Sequence, residues 1–299
     1  MALTGTQFEI SAGDFAATIV EVGAGLRRLT YGDADVTASY GEDELPPKGD
    51  GCVLVPWPNR LRAGKYTFGG VEYQVALTEP TQNNAIHGLA RWVRWTPLTI
   101  ESDSITLGID IVPQTGWVFE VRVEVTYSLH PTDGLIVTAV AHNTGESAAP
   151  FGAGFHPYLS VHGHRLDDVT LVVPAAAHLL VDEAQVPIGQ RTIDGSSHDL
   201  RAGRRLDGLR LDDGFTGLSF SDGRGSAEVR TQSGGAQIWF DEAFGYLQVF
   251  TIDDLGHGRA AVAIEPMTCP ADAFNTGEGL IVLEPGASWT ASWGIRPLA

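Results

Sequence analysis

The alternation of apolar and polar residues along the chain is the feature that most restricts its fold. Over residues 105–111 and 121–129 every second residue is apolar, and the residues between them are mostly polar. Successive side chains of a β-strand point to opposite faces, so this pattern indicates strands with one apolar and one polar face, as in antiparallel sheets. No stretch of 12 residues combines helical periodicity with helix caps.

Without helices to cover the sheets, their apolar faces must cover each other. We therefore predict an all-β fold, a large antiparallel β-sandwich, with a barrel as the alternative that meets the same requirement. The stretch Phe119–Val140 is predicted to be a hairpin with its turn at Pro131–Gly134. No repeat of fixed period indicates a propeller, and no linker divides the chain, so one domain over residues 1–299 is predicted.

Charge and cysteine content narrow the class of function. A formal net charge of −18 is unfavourable for binding nucleic acid or an anionic membrane, so neither partner is expected. The first residues lack a signal-peptide pattern, and no apolar run is long enough to span a bilayer. The two cysteines, Cys52 and Cys269, are expected to be buried small apolar residues rather than a disulfide framework. These features predict a cytoplasmic protein.

Two segments combine a restricted backbone with a side chain suited to a ligand. In Val55–Arg60 two prolines flank a tryptophan, so Arg60 leaves a stiff backbone at a fixed angle. Its guanidinium group suits paired sugar hydroxyls or a carboxylate, with a solvated surface arginine as the alternative. In Asn83–Leu89 His87 precedes a glycine, and two tryptophans that offer flat faces to sugar C–H groups follow. A structural histidine is the alternative there.

Two further segments carry groups suited to proton transfer. In residues 151–158 two glycines precede His156, so a ligand can approach an imidazole that titrates near neutral pH. In residues 261–275 Glu265 ends an apolar run. Burying a carboxylate is costly unless the group is paired or used, and burial raises its pKa toward the working range of a base. A structural role is the alternative for each residue.

Motifs for other chemistries are absent or incomplete. Gly23-Ala24-Gly25 lacks the third glycine and the following helix of a dinucleotide site. Neither a phosphate-binding loop nor a Gly-x-Ser-x-Gly elbow occurs. His162 and His164 are candidate metal ligands, but no third ligand has a recognisable spacing to them, and a solvated loop is the favoured interpretation. We therefore expect no metal site and no cofactor.

Taken in order, the motifs Pro-Trp-Pro-Asn-Arg, His-Gly, His-Pro-Tyr and Glu-Pro-Met-Thr resemble those of a bacterial branch of the aldose 1-epimerase (galactose mutarotase) family. The resemblance extends from about residue 20 to residue 295. It implies a galactose mutarotase-like β-supersandwich with a sugar site on its concave face. It also implies that His156 is the general acid, Glu265 the general base, His87 a second active-site histidine and Arg60 a sugar-binding arginine.

The family's sugar-binding aspartate lies in an Asp-x-x-Phe segment, which matches residues 212–215. This match implies Asp212, and the adjacent Asp213 is left open. The most familiar members have Asn-His-Ser/Thr-Tyr around the general acid, whereas this chain has Phe155 and Pro157 on either side of the histidine. A preference for galactose is therefore not implied.

The activity implied is that of an isomerase, an aldose 1-epimerase (mutarotase) that interconverts the α and β anomers of a free sugar without a cofactor. A glycoside hydrolase, a hexose-6-phosphate 1-epimerase and a non-catalytic sugar-binding domain are the alternatives. Hydrolases normally use two carboxylates, whereas the matched pair here is a histidine and a glutamate. Neutral aldohexoses are expected to turn over better than their 6-phosphates, because the net charge repels anions. The sequence is compatible with a monomer or a homodimer.

Overall fold

Antiparallel strands make up most of the protein in the computed structural model, which describes residues 2–298. Within these residues the α-helical structure is one short turn, Ala273–Thr276. Three single turns of 3-10 helix complete the helical content: Pro47–Gly49, Pro80–Gln82 and Leu166–Asp168. The all-β fold predicted from the alternation of the sequence is confirmed.

The strands are numbered here in chain order. The first nine are β1 (Gln7–Ala12), β2 (Phe15–Val20), β3 (Leu26–Tyr31), β4 (Ala34–Asp35), β5 (Val53–Leu54), β6 (Arg60–Arg62), β7 (Lys65–Phe68), β8 (Val71–Gln74) and β9 (Asn84–Ile86). They are followed by β10 (Thr96–Ile100), β11 (Ser104–Ile111), β12 (Val121–His130), β13 (Gly134–Asn143), β14 (Ala149–Phe151), β15 (Gly154–Phe155), β16 (Tyr158–Ser160), β17 (Thr170–Val172) and β18 (Ala177–Val181). The last nine are β19 (Pro187–Thr192), β20 (Arg204–Arg205), β21 (Asp212–Thr216), β22 (Arg224–Thr231), β23 (Gly234–Asp241), β24 (Tyr246–Ile252), β25 (Ala261–Met267), β26 (Ile281–Leu283) and β27 (Ser288–Leu298).

Two large sheets form the body of the fold. A nine-stranded sheet has the order β10-β11-β12-β13-β27-β23-β22-β17-β20. An eight-stranded sheet has the order β19-β18-β21-β24-β25-β15-β5, with β16 also paired to β25. Strands β1 to β4 form a separate four-stranded sheet. The hairpin predicted over Phe119–Val140 is confirmed as β12 and β13, whose register places His130 opposite Gly134.

The two large sheets pack face to face through their apolar side chains. Phe155 of the eight-stranded sheet and Trp293 of the nine-stranded sheet have ring centroids 5.1 Å apart. On β25, Val262 and Ile264 belong to this shared core. Because strand side chains alternate between faces, the next residue, Glu265, points to the opposite face of the sheet. That outer face is where the predicted acid–base residues lie.

Other expectations from the sequence concern the cysteines, the domain and the membrane. Cys52 and Cys269 are free and buried, as predicted. The single domain over 1–299 stays a prediction, and its end positions, Met1 and Ala299, lie outside the described residues. Across residues 2–298, no helix has both the length and the apolar character that crossing a membrane requires.

Candidate active site

The predicted acid and base lie opposite each other on the outer face of the eight-stranded sheet. Gly154 pairs with Met267 and Tyr158 pairs with Ala263, so the register places His156 directly across from Glu265. His156 Nε2 is 3.4 Å from Glu265 Oε1. Residue exposure is only 5% for the histidine and 2% for the glutamate. The strand register therefore brings together two motifs that are more than 100 residues apart in sequence.

The neighbouring strands extend this row of polar side chains. Gln248 of β24 pairs with Glu265 on its other side. Its Nε2 donates a hydrogen bond of 2.7 Å to Asp212 Oδ1, and its Oε1 accepts one of 3.3 Å from Asn59 Nδ2. Asp213, the alternative left open by the sequence, points to the other face of β21 because side chains alternate along the strand. Asp212 is therefore the aspartate that lies beside the acid–base pair.

Hydrogen bonds to the backbone of Asn59 orient His87 and determine which ring nitrogen carries its proton. Residue 87 has φ of 64°, in the left-handed region that non-glycine residues seldom adopt. Its N–H donates to Asn59 O (2.8 Å), and its Nδ1 accepts a hydrogen bond from Asn59 N–H (3.2 Å). Because Nδ1 accepts, the neutral ring carries its proton on Nε2. His87 is thus a hydrogen-bond donor, with its ring centroid 5.3 Å from that of His156.

The glycine after His87 is explained by close backbone packing. Gly88 has φ of 69°, and a Cβ at this position would lie 2.0 Å from the carbonyl oxygen of Val55. Only glycine tolerates both conditions. The His-Gly pair therefore places the strained histidine against the segment that leads into Arg60.

Arg60 is anchored by a carboxylate that the sequence analysis did not identify. Its Nε and Nη2 donate to the two oxygens of Glu79 at 2.9 and 3.1 Å. Glu79 also accepts a hydrogen bond of 3.1 Å from Asn84 Nδ2. Two of the five guanidinium N–H groups are thereby used, and the remaining ones are available to a ligand. The ion pair fixes the orientation of the arginine.

All five predicted site residues line one cavity of about 500 Å³. This volume is within the range of small-molecule sites. The residues in question are Arg60, His87, His156, Asp212 and Glu265.

Burial sets the proton distribution of the acid–base pair. Desolvation lowers the pKa of His156 to about 3 and lowers the pKa of His87 well below its usual value. Desolvation also raises the pKa of Glu265 well above its usual value, and the negative charge of Asp212 adds to this rise while Arg60 opposes it. The sequence had led us to expect both pKa values near ambient pH. Desolvation thus disfavours both the imidazolium form of His156 and the carboxylate form of Glu265.

Three side chains of the site escaped the sequence analysis: Asn59, Glu79 and Gln248. Gln248 lies in Tyr246–Phe250, a run in which it is the one strongly polar residue. A polar residue inside an apolar strand indicates a buried hydrogen-bonding role, and this signal was available. Glu79 lies in a loop of ordinary composition, so nothing in its sequence pointed to Arg60.

The pair of histidines considered as metal ligands lies elsewhere. His162 and His164 border a different depression, together with Ser160 and Arg259. His164 Nε2 is 2.8 Å from Ser233 Oγ. Among residues 2–298, no third ligating group joins these two histidines.

A β-sandwich that places a buried histidine–glutamate pair, a second histidine and an arginine around one cavity has the groups that an acid–base enzyme requires. The sequence model described as "Aldose 1-epimerase" matches residues 6–296. The chain belongs to the aldose 1-epimerase family, and it is an isomerase with a mutarotase-like function.

Two proteins similar in sequence illustrate the range of relatives. The chain is 33% identical over 292 residues to the uncharacterized protein YihR of Escherichia coli K12, covering 96% of this chain and 91% of YihR. It is 25% identical to galactose mutarotase of Mus musculus over 65% of this chain and 60% of that protein.

Solved structures support the fold. A galactose mutarotase-like protein from Clostridium acetobutylicum superposes with a TM-score of 0.84 at 18% identity, covering 97% of this chain and 94% of that one. The GalM/aldose epimerase homologue from C. elegans gives the same TM-score at 18% identity, covering 98% and 99% of the two chains. The predicted galactose mutarotase-like sandwich is confirmed.

Proposed function

We propose that the protein catalyses mutarotation of a free aldose, with His156 and Glu265 as the proton-transfer pair. The observation that carries this proposal is the 3.4 Å separation of His156 Nε2 and Glu265 Oε1 within one cavity. A cyclic hemiacetal exchanges protons at two oxygens that are both bonded to C1: the hydroxyl oxygen and the ring oxygen. An acid and a base side by side match these two sites.

The reaction conserves protons. Glu265, in its carboxylate form, takes the proton of the C1 hydroxyl, and His156, in its imidazolium form, gives a proton to the ring oxygen. The bond between C1 and the ring oxygen breaks, and the open-chain aldehyde forms. Rotation about C1–C2 presents the other carbonyl face, and the same transfers in reverse close the ring.

Opening leaves the glutamic acid protonated and the imidazole neutral, which is the form that burial favours in the ligand-free site. The desolvated site therefore stabilises the pair in the protonation state that accompanies the open-chain intermediate. Before opening, one proton must pass from Glu265 to His156. Contacts between bound hydroxyls and the carboxylate, together with the positive charge of Arg60, favour that transfer.

The remaining residues bind and orient the sugar. His87 presents an N–H from Nε2 and, because burial keeps its pKa low, acts as a neutral donor rather than a second acid. Its nearness to His156 suits it to the ring oxygen or the C1 oxygen. Arg60, Asp212 and Gln248 offer donors and acceptors for the other hydroxyls, each held in place by a partner. No cofactor takes part in this scheme.

The test is anomer exchange measured by NMR, or polarimetry, on a panel of free aldoses that includes glucose and galactose. The protein should accelerate equilibration of at least one aldose well above the buffer rate. His156→Asn should abolish most of this acceleration, whereas His130→Asn, at an exposed histidine on the other large sheet, should not. A panel with no acceleration, or equal rates for His156→Asn and the parent, would contradict the proposal.

A sugar phosphate is the second candidate substrate, and Arg91 is the observation that favours it. Arg91 lines the cavity, and within residues 2–298 no carboxylate forms an ion pair with it, in contrast to Arg60. Lys48 lines the same cavity. A cation without a carboxylate partner is suited to bind an anionic substituent.

The two candidates are separated by kcat/KM for glucose, galactose and glucose 6-phosphate at two salt concentrations. We expect the neutral sugars to be preferred, because the net charge of −18 repels anions. A preference for the phosphate that weakens with salt and is lost in Arg91→Gln would favour the second candidate. Arg94→Gln is the matched control, since Arg94 is exposed and paired with Glu21.

A further inference from the structure

Three side chains of the types that bind metal ions lie close together on the face of β21 opposite to Asp212. They are His178 on β18, His198 in the loop after β19, and Asp213 on β21. Asp213 Oδ1 is 3.4 Å from His198 Nε2 and 3.8 Å from His178 Nδ1. The three ligand atoms all lie within 4.8 Å of one another. None of the three residues lines the sugar cavity.

The fold places these residues together in a defined way. His178 pairs with Phe215 in the β18–β21 ladder, so His178 and Asp213 share one face of the sheet. The loop that carries His198 is anchored by Ile193 and Leu200, both fully buried. Within it, Ser196 Oγ accepts a hydrogen bond of 3.1 Å from His198 N–H. The cluster is therefore built on two strands and an anchored loop.

The possible ligand atoms of the cluster lie close together, and one of them is buried without a partner. His178 is 7% exposed, and its Nδ1 is buried without a hydrogen-bond partner. Asp213 Oδ2 accepts from Asp212 N–H at 3.2 Å, which orients the carboxylate and leaves Oδ1 toward the histidines. The unsatisfied buried nitrogen is costly unless something binds it.

We propose that His178, His198 and Asp213 bind a divalent transition-metal ion, with Zn²⁺ as the ion of choice. Two ligands of a tetrahedral zinc ion, at bond lengths of about 2.0–2.1 Å, lie roughly 3.4 Å apart. The observed separations of 3.4 and 3.8 Å are close to this value. Two nitrogens and one oxygen select zinc or its neighbours over Mg²⁺ and Ca²⁺, which prefer oxygen ligands. Water completes the coordination.

Binding requires one local adjustment. The two imidazole rings are stacked, with centroids 4.2 Å apart and planes 10° from parallel. Both nitrogens reach a common ion only if one ring tilts. His198 is the ring that moves, because its position in a loop leaves it partly exposed, whereas His178 is buried, and rotation about its second side-chain torsion is inexpensive.

The metal would act on structure, not on the proton-transfer chemistry. It would tie the loop of residues 193–203 to the back of β21, the strand whose other face presents Asp212. This inference stands independently of the proposed mutarotation, because its first readout is metal binding and not turnover.

The experiment is a calorimetric titration of the chelator-treated and dialysed protein with Zn²⁺. We expect one ion per chain, and at least a tenfold weaker affinity for His198→Ala and for Asp213→Asn. A Co²⁺ titration should give a visible absorption spectrum typical of nitrogen and oxygen ligands, which His198→Ala removes. Saturating Zn²⁺ should raise the midpoint of thermal unfolding of the parent but not of His198→Ala.

His130→Ala is the matched control, because His130 is an exposed histidine beside an aspartate, Asp133, and should leave Zn²⁺ binding unchanged. His178 is the most buried of the three residues, so its replacement is less informative than replacement of the partly exposed His198 or Asp213. Absence of a binding isotherm, or an affinity equal in the parent, His198→Ala and Asp213→Asn, would overturn the proposal. Equal losses in His130→Ala would show binding at surface histidines and would overturn it as well.

Discussion

Glu265→Gln should inactivate the protein and stabilise it at the same time. Glutamine has the same size and also carries a polar amide group that can hydrogen-bond to the His156 imidazole, so the packing of the site is preserved. It cannot accept the proton of the C1 hydroxyl. Loss of a general base costs on the order of 10²–10⁴ in rate, so turnover should fall by that factor.

The gain in stability follows from the direction of the pKa shift. Burial raises the pKa of Glu265 in the folded protein above its unfolded value of 4.5. Between these two pKa values the folded state keeps a proton that the unfolded state has lost, so the stability of the parent falls as the pH rises. The slope is about 1.4 kcal/mol per pH unit. Glutamine does not titrate, so the variant escapes this loss.

The free energy of unfolding of Glu265→Gln, relative to the parent, should therefore be flat below pH 4.5 and rise above it. Between pH 4.5 and 6.5 the difference should grow by more than about 1 kcal/mol. Urea denaturation at four pH values between 4 and 7.5 measures the difference, and NMR anomer exchange measures turnover. Glu146→Gln is the matched control, because Glu146 is exposed and should show neither effect. A stability difference that does not change with pH would refute the reasoning, as would near-parental turnover.

Three further outcomes are expected. Gln248→Leu removes the 2.7 Å hydrogen bond to Asp212 and should raise KM more than it lowers kcat in steady-state polarimetry; an effect on kcat alone would contradict a binding role. Gly88→Ala should lower unfolding stability by about 1–3 kcal/mol, because of its positive φ and the contact with Val55, and an unchanged urea midpoint would contradict this. Extensive dialysis against a chelator should leave kcat unchanged; a rate that collapses and returns with added metal would place a metal in the chemistry.

The fold class and the candidate acid–base residues were predicted from different kinds of sequence signal. The alternation over 121–129 requires a strand whatever its partners are, so the hairpin of β12 and β13 follows from local pattern. His156 and Glu265 were found through motifs, but nothing local indicated that β15 and β16 would both pair with β25. Their opposition depends on a sheet order that joins distant segments, and sheet order is a tertiary property.

The pKa values of the site residues could not be predicted from the sequence, because they too depend on tertiary structure. An isolated imidazole titrates near neutral pH, and the sequence therefore suggested a pKa near ambient for His156. The fold buries it on a sheet face and covers it with Tyr158, whose ring stacks at a centroid distance of 5.1 Å. Desolvation then dominates the pKa, and no local pattern reports the depth of burial. Similarly, the partner of Arg60 is set by a loop conformation that brings Glu79 alongside it.

The adjacent aspartates of β21 show how one strand can serve two sites. A strand sends consecutive side chains to opposite faces, so Asp212 and Asp213 cannot both line the cavity that holds His156 and Glu265. The register of β21 against β24 settles which one does, because Asp212 pairs with Phe250, next but one to Gln248. Asp213 is then obliged to lie with His178 and His198. Since Asp213 Oδ2 also accepts a hydrogen bond from the N–H of Asp212, any ion that positions Asp213 acts on the backbone of the residue that lines the cavity. Metal binding at the back of the sheet should therefore change KM for the sugar before it changes kcat.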